Sequence, residues 1–250
     1  MSSVLAVTPT MDGWRIERAT MDDKQEIYDL LVKTFYLDEP ASKDLFALYG
    51  VPPIDDSLGM QALPHGMSFK AVSEDGKIFG VVLNMDHSQL KDFNPKPHKA
   101  MEKLGPFFDI IDKKAGSLKG FLGLHIVAVD NSWRKRGVAE RLVAEAEEES
   151  SRKGYKGLEV VCTSAYSSRL MAKRGYEHIL RYPYASYTDA DGNQVFNPPP
   201  PHDAVNVYIK RNVLYLPPTN EDSEPATDNL NIIDYNNASA DCNTIKELCV

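Results

Sequence analysis

The chain has 250 residues, of which 42% are hydrophobic, and a formal net charge of −8 at pH 7. This length and composition fit one folded domain with a full core, and the acidic balance argues against a nucleic-acid partner. Three cysteines are too few for a disulfide framework and lack metal-ligand spacing, so we expect a reduced, cytoplasmic protein without a metal. We also expect no signal peptide and no membrane span, because no apolar run approaches the ~18 residues that a span requires.

Hydrophobic patterning predicts alternating strands and helices through most of the chain. The first helix carries apolar positions at helical spacing from Ile27 to Phe35, and Glu74-Asp75-Gly76 is a hairpin signal. In chain order the predicted elements are a strand at 14–18, this first helix, a second helix with loops before 66, a hairpin of 68–72 and 77–84, a helix within 95–116, a buried strand at 121–130, a helix to 153, a strand at 157–162, a short helix at 167–174, and closing strands at 176–184 and 205–210.

The composition changes after about residue 212. Residues 214–250 contain seven acidic residues and one lysine, together with a Pro-Pro pair and an Asn-rich run. Such a segment cannot bury enough apolar surface to fold alone. We therefore expect an N-terminal arm at 1–12, a folded domain at 13–212 and an acidic, disordered tail at 213–250.

Residues 134–139, with the sequence RKRGVA, join the predicted buried strand at 121–130 to the helix that follows. A strand that turns directly into a helix presents unpaired backbone N–H groups at the helix N-terminus, and basic side chains flank them here. This arrangement is a receptor for a phosphate or pyrophosphate group. The chain contains neither a Walker P-loop nor a Gly-x-Gly-x-x-Gly motif after a strand, so these two other phosphate loops are excluded. A basic pair before a glycine also begins many ordinary solvated helices.

Three stretches make the chain resemble the GNAT N-acetyltransferases, and more narrowly the insect-type arylalkylamine (dopamine) N-acetyltransferases. They are residues 34–40 (TFYLDEP), residues 127–139 (VAVDNSWRKRGVA) and residues 161–167 (VCTSAYS). The resemblance covers roughly residues 14–211. It implies an α/β (mixed α+β) GNAT fold, with a central, mostly antiparallel twisted sheet of about seven strands that is flanked by helices and splayed between strands 4 and 5.

In that family the Glu of the Asp-Glu-Pro segment is the general base, which places this role on Glu39. An amine with a pKa near ~10 arrives as an ammonium ion and must lose a proton before it can attack a thioester. The aromatic residues Phe35 and Tyr36 lie close to Glu39 in the sequence, and we expect these three residues to bind the amine. The family's Cys-Ser-Ser-x-Tyr-Ser run, which matches residues 162–167 here, carries two assisting hydroxyl groups that map to Thr163 and Ser167.

Ser167 has two interpretations. It could protonate the departing coenzyme A thiolate, or it could cap the N-terminus of the helix that runs to residue 174. Many GNAT enzymes use a Tyr for this protonation, four residues before a Gly-aromatic pair, and this chain has Met171 there. His125 is either a member of a proton relay or a hydrogen-bonded core residue, and we assign no role to the other histidines.

The resemblance implies acetyl-CoA as co-substrate. The pantetheine arm would pair with the backbone of Val127, Ala128 and Val129. The pyrophosphate would bind the amides of the 134–139 loop, with Arg134 and Arg136 adding charge and Gly137 permitting close approach. The predicted cofactor contacts of this loop are Arg134, Lys135, Arg136, Gly137, Val138 and Ala139.

The sequence therefore predicts acetyl-CoA-dependent N-acetylation of arylalkylamines of the dopamine, tyramine, octopamine and serotonin class. Two alternatives stay open. The enzyme could act on another amine, such as a polyamine, or use a longer acyl-CoA. The chain could instead be a non-catalytic acyl-CoA-binding module. We expect a monomer whose partner is a small amine, with neither nucleic acid nor membrane bound.

Overall fold

The computed structural model describes residues 13–86, 88 and 95–213, so the predicted N-terminal arm and nearly all of the acidic tail lie outside it. The order of strands and helices within these residues is the order that the sequence predicts. The elements are β1 (Trp14–Arg18), α1 (Lys24–Leu31), α2 (Lys43–Tyr49), β2 (Phe69–Ser73), β3 (Ile78–Met85), α3 (Lys99–Ala115), β4 (Leu122–Val129), α4 (Val138–Arg152), β5 (Gly157–Cys162), α5 (Ala165–Lys173), β6 (Glu177–Pro183) and β7 (Ala204–Arg211).

The seven strands form one sheet in the order β1-β2-β3-β4-β5-β7-β6. All neighbouring strands are antiparallel except β4 and β5, which are parallel. These two strands pair only at Leu122 with Leu158 and at Gly123 with Glu159. β4 continues to Val129 beside β3, so its last residues separate from β5. The predicted GNAT sheet, including its splay between strands 4 and 5, is confirmed.

Helices cover both faces of the sheet, and each face has its own apolar core. Val81 belongs to the core formed with α1, α2 and α3, whereas the adjacent Val82 belongs to the core formed with α4 and α5. Successive residues of a strand point to opposite faces, which explains why β3 is buried along its whole length. The architecture is thus a three-layer arrangement with the site-bearing ends of β4 and β5 near its centre.

Gly80 of β3 sets how closely α4 approaches the sheet. A Cβ atom at this position would lie 3.2 Å from Val138 Cγ1 and 3.3 Å from Leu142 Cδ1. The absence of a side chain therefore lets the first turn of α4 pack directly on the sheet. This packing fixes the position of the helix N-terminus that follows β4.

Helix α1 does not end at Leu31 but continues as a π-helix, Val32–Tyr36. Thr34 lies within it and its hydroxyl group donates a hydrogen bond to the Leu30 carbonyl oxygen at 2.6 Å. π-Helical turns occur frequently at functional sites. This π-helical turn ends at Tyr36, shortly before Glu39 in the chain. Of the helices that the structure describes, none combines the length and apolarity needed to cross a membrane.

Candidate active site

Glu39 lies directly after the π-helical turn and is 4% exposed. Its amide donates to the Phe35 carbonyl oxygen at 2.8 Å, which ties the residue to the end of the helix. Its carboxylate oxygen Oε1 accepts a hydrogen bond from the Ala41 amide at 3.0 Å. Pro40 restricts the backbone between these two anchors. The carboxyl group is therefore held in one place by local structure.

Burial raises the pKa of Glu39, and hydrogen bonding from Ser42, Thr163 and Ala41 lowers it in part. The second oxygen, Oε2, is buried and makes no hydrogen bond of normal length and angle to a described residue. Burial dominates because an ionised carboxylate loses its hydration there. A carboxyl group with a raised pKa holds a proton more strongly than an exposed glutamate does, as a general base working near neutral pH requires.

Thr163 and Tyr184 complete the surroundings of this carboxyl group. Thr163 follows β5 and is fully buried, and its carbonyl oxygen accepts a hydrogen bond from the Tyr184 hydroxyl group at 2.8 Å. Burial, together with the charge of Glu39, raises the pKa of Tyr184. Glu39, Ser42, Thr163 and Tyr184 are here called the Glu39 pocket. The sequence identified Thr163 but assigned no role to Tyr184, because this contact joins residues from different elements.

Ser164, and not Ser167, caps the N-terminus of α5. The Ser164 hydroxyl oxygen accepts from the Tyr166 amide at 3.0 Å and from the Ser167 amide at 3.3 Å. The interpretation of Ser167 as the cap is therefore wrong, since the helix begins at Ala165, two residues earlier than expected. The Ser167 hydroxyl group donates to the Ser164 carbonyl oxygen at 2.9 Å.

Met171 and His125 are both buried. Met171, at the position of the usual Tyr acid, packs in the core on the α4 and α5 side of the sheet. His125 lies within β4 and is 1% exposed. Neither placement tests the relay role of His125, which stays a prediction.

His202 approaches the site, although the sequence assigned it no role. Its Nδ1 atom accepts a hydrogen bond from the Ala165 amide at 3.2 Å, which places the proton of the neutral ring on Nε2. Burial lowers its pKa, Lys43 and Arg169 lower it further, and Asp38 opposes them. The hydrogen bond places His202 at the start of α5, and Asp38, the residue next to Glu39, is near enough to influence its charge. Its position directly after four prolines is the one signal that could have identified it.

The turn between β4 and α4, residues 131–137, is here called the anion loop. It begins with a short 3-10 helix, Asn131–Trp133, and ends at Gly137, whose φ of 75° is in the left-handed region. Gly137 is the N-cap residue of α4 and has no side chain with which to cap the first turn. Its first amides, including those of Val138 and Ala139, therefore have no intrahelical acceptor and can bind an anion. This geometry is the one that the sequence predicts for residues 134–139.

Arg134 connects the anion loop to the Glu39 segment. Its guanidinium group donates to the Val129 carbonyl oxygen at 3.1 Å and to the Thr34 carbonyl oxygen at 3.3 Å, and it pairs with Asp38 at 3.0 Å. These protein contacts occupy the side chain that we expected to add charge at the pyrophosphate. That contact stays a prediction, and the structure supports a linking role for Arg134.

Phe35 and Tyr36, the predicted contacts of the amine, are 4% and 2% exposed. The Tyr36 hydroxyl group is hydrogen-bonded to the Ser57 hydroxyl group, and its ring packs on Phe46 with centroids 5.3 Å apart. Both side chains are part of the core in this structure. Their contact with an amine stays a prediction.

A family model described as the Acetyltransferase (GNAT) family matches residues 24–176, which is more than half of the chain. Among the described residues, no group of three or more His, Cys, Asp or Glu side chains is placed to hold a metal ion.

Several solved structures are similar to the whole described fold. Arylalkylamine N-acetyltransferase 2 from Aedes aegypti is 24% identical, with a TM-score of 0.69, and the match covers 80% of this chain and 99% of that one. A mosquito arylalkylamine N-acetyltransferase like 5b is 19% identical, with a TM-score of 0.68 and coverage of 79% and 99%. A Drosophila melanogaster polyamine N-acetyltransferase that forms N-acetylagmatine is 22% identical, with a TM-score of 0.63 and coverage of 79% and 99%. At these identities the likeness establishes the fold and leaves the amine open.

Proposed function

Since the chain belongs to the GNAT acetyltransferase family, whose members use acetyl-CoA, we propose that it transfers the acetyl group of acetyl-CoA to the primary amine of an arylalkylamine. The observation that carries this proposal is the connection between Glu39 and the anion loop. Arg134 pairs with Asp38, the neighbour of Glu39, and the same arginine belongs to the loop that presents free helix amides. A base and a site for the cofactor phosphates are thus joined by one side chain.

In the proposed reaction, Glu39 takes a proton from the ammonium form of the substrate, directly or through water. The neutral amine nitrogen then attacks the thioester carbonyl carbon, a C–N bond forms and the C–S bond breaks. After the attack the nitrogen still carries two N–H protons and must lose one to leave a neutral amide. The released thiolate takes a proton from Ser167 or from water. The proton lost by the nitrogen restores the Ser167 hydroxyl group, or passes through water to the thiolate, and Glu39 returns its own proton to solvent. The raised pKa of Glu39 supports its role as the first acceptor. Thr163, whose hydrogen bond favours the charged carboxylate, would hold Glu39 in place.

The proposed cofactor contacts follow the geometry of β4 and α4. The amides at Gly137, Val138 and Ala139 would bind the pyrophosphate, with Lys135 and Arg136 at its exposed side. The pantetheine arm would lie along the end of β4, at Val127, Ala128 and Val129, where β5 no longer pairs with it. A cytoplasmic location and a monomeric state, expected from the sequence, stay predictions.

The most specific part of the proposal is the chemical class of the amine that accepts the acetyl group. Support for an arylalkylamine comes from the stretch at residues 34–40 and from the fold shared with two arylalkylamine N-acetyltransferases. The fold shared with the polyamine enzyme supports an aliphatic amine as the second candidate.

Initial-rate kinetics with acetyl-CoA and a panel of amines tests the acceptor. The panel contains tyramine, dopamine, octopamine and serotonin on one side, and agmatine, putrescine and spermidine on the other. We expect kcat/KM for at least one arylalkylamine to exceed that for every aliphatic amine by about tenfold or more, the range that pocket shape and polarity supply. A preference for agmatine or a polyamine would move the chain to the second candidate. Binding of acetyl-CoA without turnover of any amine would instead indicate a binding module.

A further inference from the structure

Lys135 has an unusual backbone conformation in the middle of the anion loop. Its φ is 63°, and it is the only residue other than glycine with a positive φ in the described ranges 13–86 and 95–213. The left-handed region is unfavourable for a residue with a Cβ atom, and it persists only where the surrounding structure imposes it. Some contact near Lys135 must therefore hold the loop in this shape.

Two sets of contacts flank Lys135. On one side, Arg134 is fixed by the Val129 and Thr34 carbonyl oxygens. On the other, the Trp133 ring stacks on Phe79, with ring centroids 3.9 Å apart and planes 16° apart. The guanidinium group of Arg136 lies over the same indole ring, 5.0 Å from its centroid.

The Trp133 stack is anchored in the sheet. Phe79 belongs to β3, is 4% exposed, and meets the edge of the Trp14 ring of β1 at 5.7 Å between centroids. Arg141, in the first turns of α4, lies over that second indole ring at 4.2 Å. A ladder of rings and cations, Arg136–Trp133–Phe79–Trp14–Arg141, therefore connects the anion loop and the start of α4 to the inner strand β3 and the edge strand β1. Stacked rings and cation–π contacts each add attraction beyond simple burial.

We propose that Trp133 is a positioning residue for the cofactor: stacked on Phe79, it holds Lys135 in the left-handed conformation and so keeps the amides of the anion loop arranged for an anion before acetyl-CoA binds. The role rests on the proposed acetyl-CoA site. It does not depend on which amine is acetylated. Without the stack, the free loop would relax, and acetyl-CoA would have to restore the unfavourable conformation as it bound.

A double-mutant cycle on acetyl-CoA affinity, measured by titration calorimetry, tests this role. We expect Trp133→Ala to weaken acetyl-CoA binding about tenfold, the size expected for a non-glycine residue that must return to a left-handed conformation. Trp133→Phe keeps a ring on Phe79 and should retain most of the affinity. Because the readout is binding, the result is independent of turnover, and failure of the amine panel would be recognised separately.

Two substitutions at Lys135 isolate the backbone effect, because both remove the same charge. Glycine adopts a positive φ at little cost, whereas alanine does not. In the Trp133→Ala background, Lys135→Gly should bind acetyl-CoA about fivefold to tenfold more tightly than Lys135→Ala. In the protein that keeps Trp133, Lys135→Gly and Lys135→Ala should bind acetyl-CoA with nearly equal affinity, because the stack already imposes the left-handed conformation at residue 135. The difference between backgrounds is the coupling between the stack and the backbone.

An equal difference between Lys135→Gly and Lys135→Ala in both backgrounds, or no difference in either, would overturn the proposal. A second result would also overturn the proposal: Trp133→Ala and Arg136→Ala bind acetyl-CoA with equal affinity, and Lys135→Gly does not restore the affinity of Trp133→Ala. Trp133 would then act only by holding Arg136 in place. Thermal melting confirms that each variant is folded. If Trp133→Ala does not fold, Trp133→Leu replaces it in the comparison of Lys135→Gly with Lys135→Ala. Leucine fills more of the space left by the indole ring but cannot stack on Phe79.

Discussion

The anion loop and the Glu39 pocket are the two halves of the proposed site, and they are built in opposite ways. The loop uses a short continuous segment at the surface, and its binding groups are backbone amides at the start of α4. The pocket gathers buried side chains from three distant parts of the chain, Glu39, Thr163 and Tyr184. A cofactor site of backbone groups tolerates changes of side chain, whereas a buried base depends on every neighbour. Substitutions should therefore affect the two halves very differently.

Glu39→Gln should have the largest effect, because it removes the proposed base and keeps the shape of the pocket. We expect kcat/KM for the amine to fall by about 10² to 10⁴ near neutral pH, the usual contribution of a positioned base. Wild-type activity should fall as the pH drops through the pKa of Glu39, which burial places above the ordinary glutamate value. The pH–rate profile of both proteins measures this, and acetyl-CoA affinity is the control that should not change. An unchanged profile in Glu39→Gln would remove Glu39 as the base.

The same shift has a consequence for stability, with a definite sign. The folded-state pKa of Glu39 lies above its unfolded value. Its contribution to stability is therefore fully present below the unfolded pKa and is lost as the pH rises through the folded pKa. Glu39→Gln lacks this loss, so its melting temperature relative to wild type should improve as the pH rises from 4 to 8.

A further prediction separates Ser164, the N-cap of α5, from Ser167, for which the sequence left two roles open. Ser164→Ala removes the helix cap and should lower the free energy of unfolding by about 1 kcal/mol, with kcat nearly unchanged. Ser167→Ala should lower kcat by up to about 10²-fold if its hydroxyl group protonates the thiolate, with little change in stability. Denaturant unfolding and steady-state kinetics on the pair distinguish these outcomes. Loss of stability without loss of kcat in Ser167→Ala would assign that residue a structural role.

Substitutions at Arg134 and Asp38, which connect the anion loop to the Glu39 pocket, should have the smallest effects on activity. Arg134→Ala removes hydrogen bonds to two backbone carbonyl oxygens as well as the pair with Asp38, and we expect kcat/KM to fall about tenfold for both substrates. Asp38→Asn removes only the ion pair, which is about half exposed and therefore weak. Its effect should be clearly smaller. Equal losses in the two variants would mean that the ion pair, and not the backbone contacts, joins the loop to the pocket.

The contrast between the two halves also explains what the sequence could predict. The order of elements and the anion loop followed from periodicity and from a contiguous motif, and both depend on residues near one another in the chain. Glu39 followed from the family resemblance of residues 34–40. The Ser164 cap differed from expectation by three residues, because Ser164 and Ser167 both lie near the start of the same helix and either hydroxyl group can cap one.

The partners of the key groups could not be predicted. The Tyr184 hydroxyl group reaches the Thr163 carbonyl across 21 residues, and Arg134 reaches Asp38 across 96. His202 meets the amide of Ala165 across 37. Such contacts depend on how the sheet brings strand ends together, and no local pattern records them. The helical spacing that ends at Phe35 puts this residue on the apolar face of the first helix, but the sequence could not show that Tyr36 is buried with it.

The splay between β4 and β5 also decides where the sheet carries an unpaired strand edge. Unpaired strand edges at the outside of a sheet invite pairing with foreign strands and lead to aggregation. Here the unpaired end of β4 faces a gap inside the sheet, between β4 and β5, with α1 on one face of the sheet and α4 on the other. The sheet thus leaves a strand edge open between its own strands, and not only at its border.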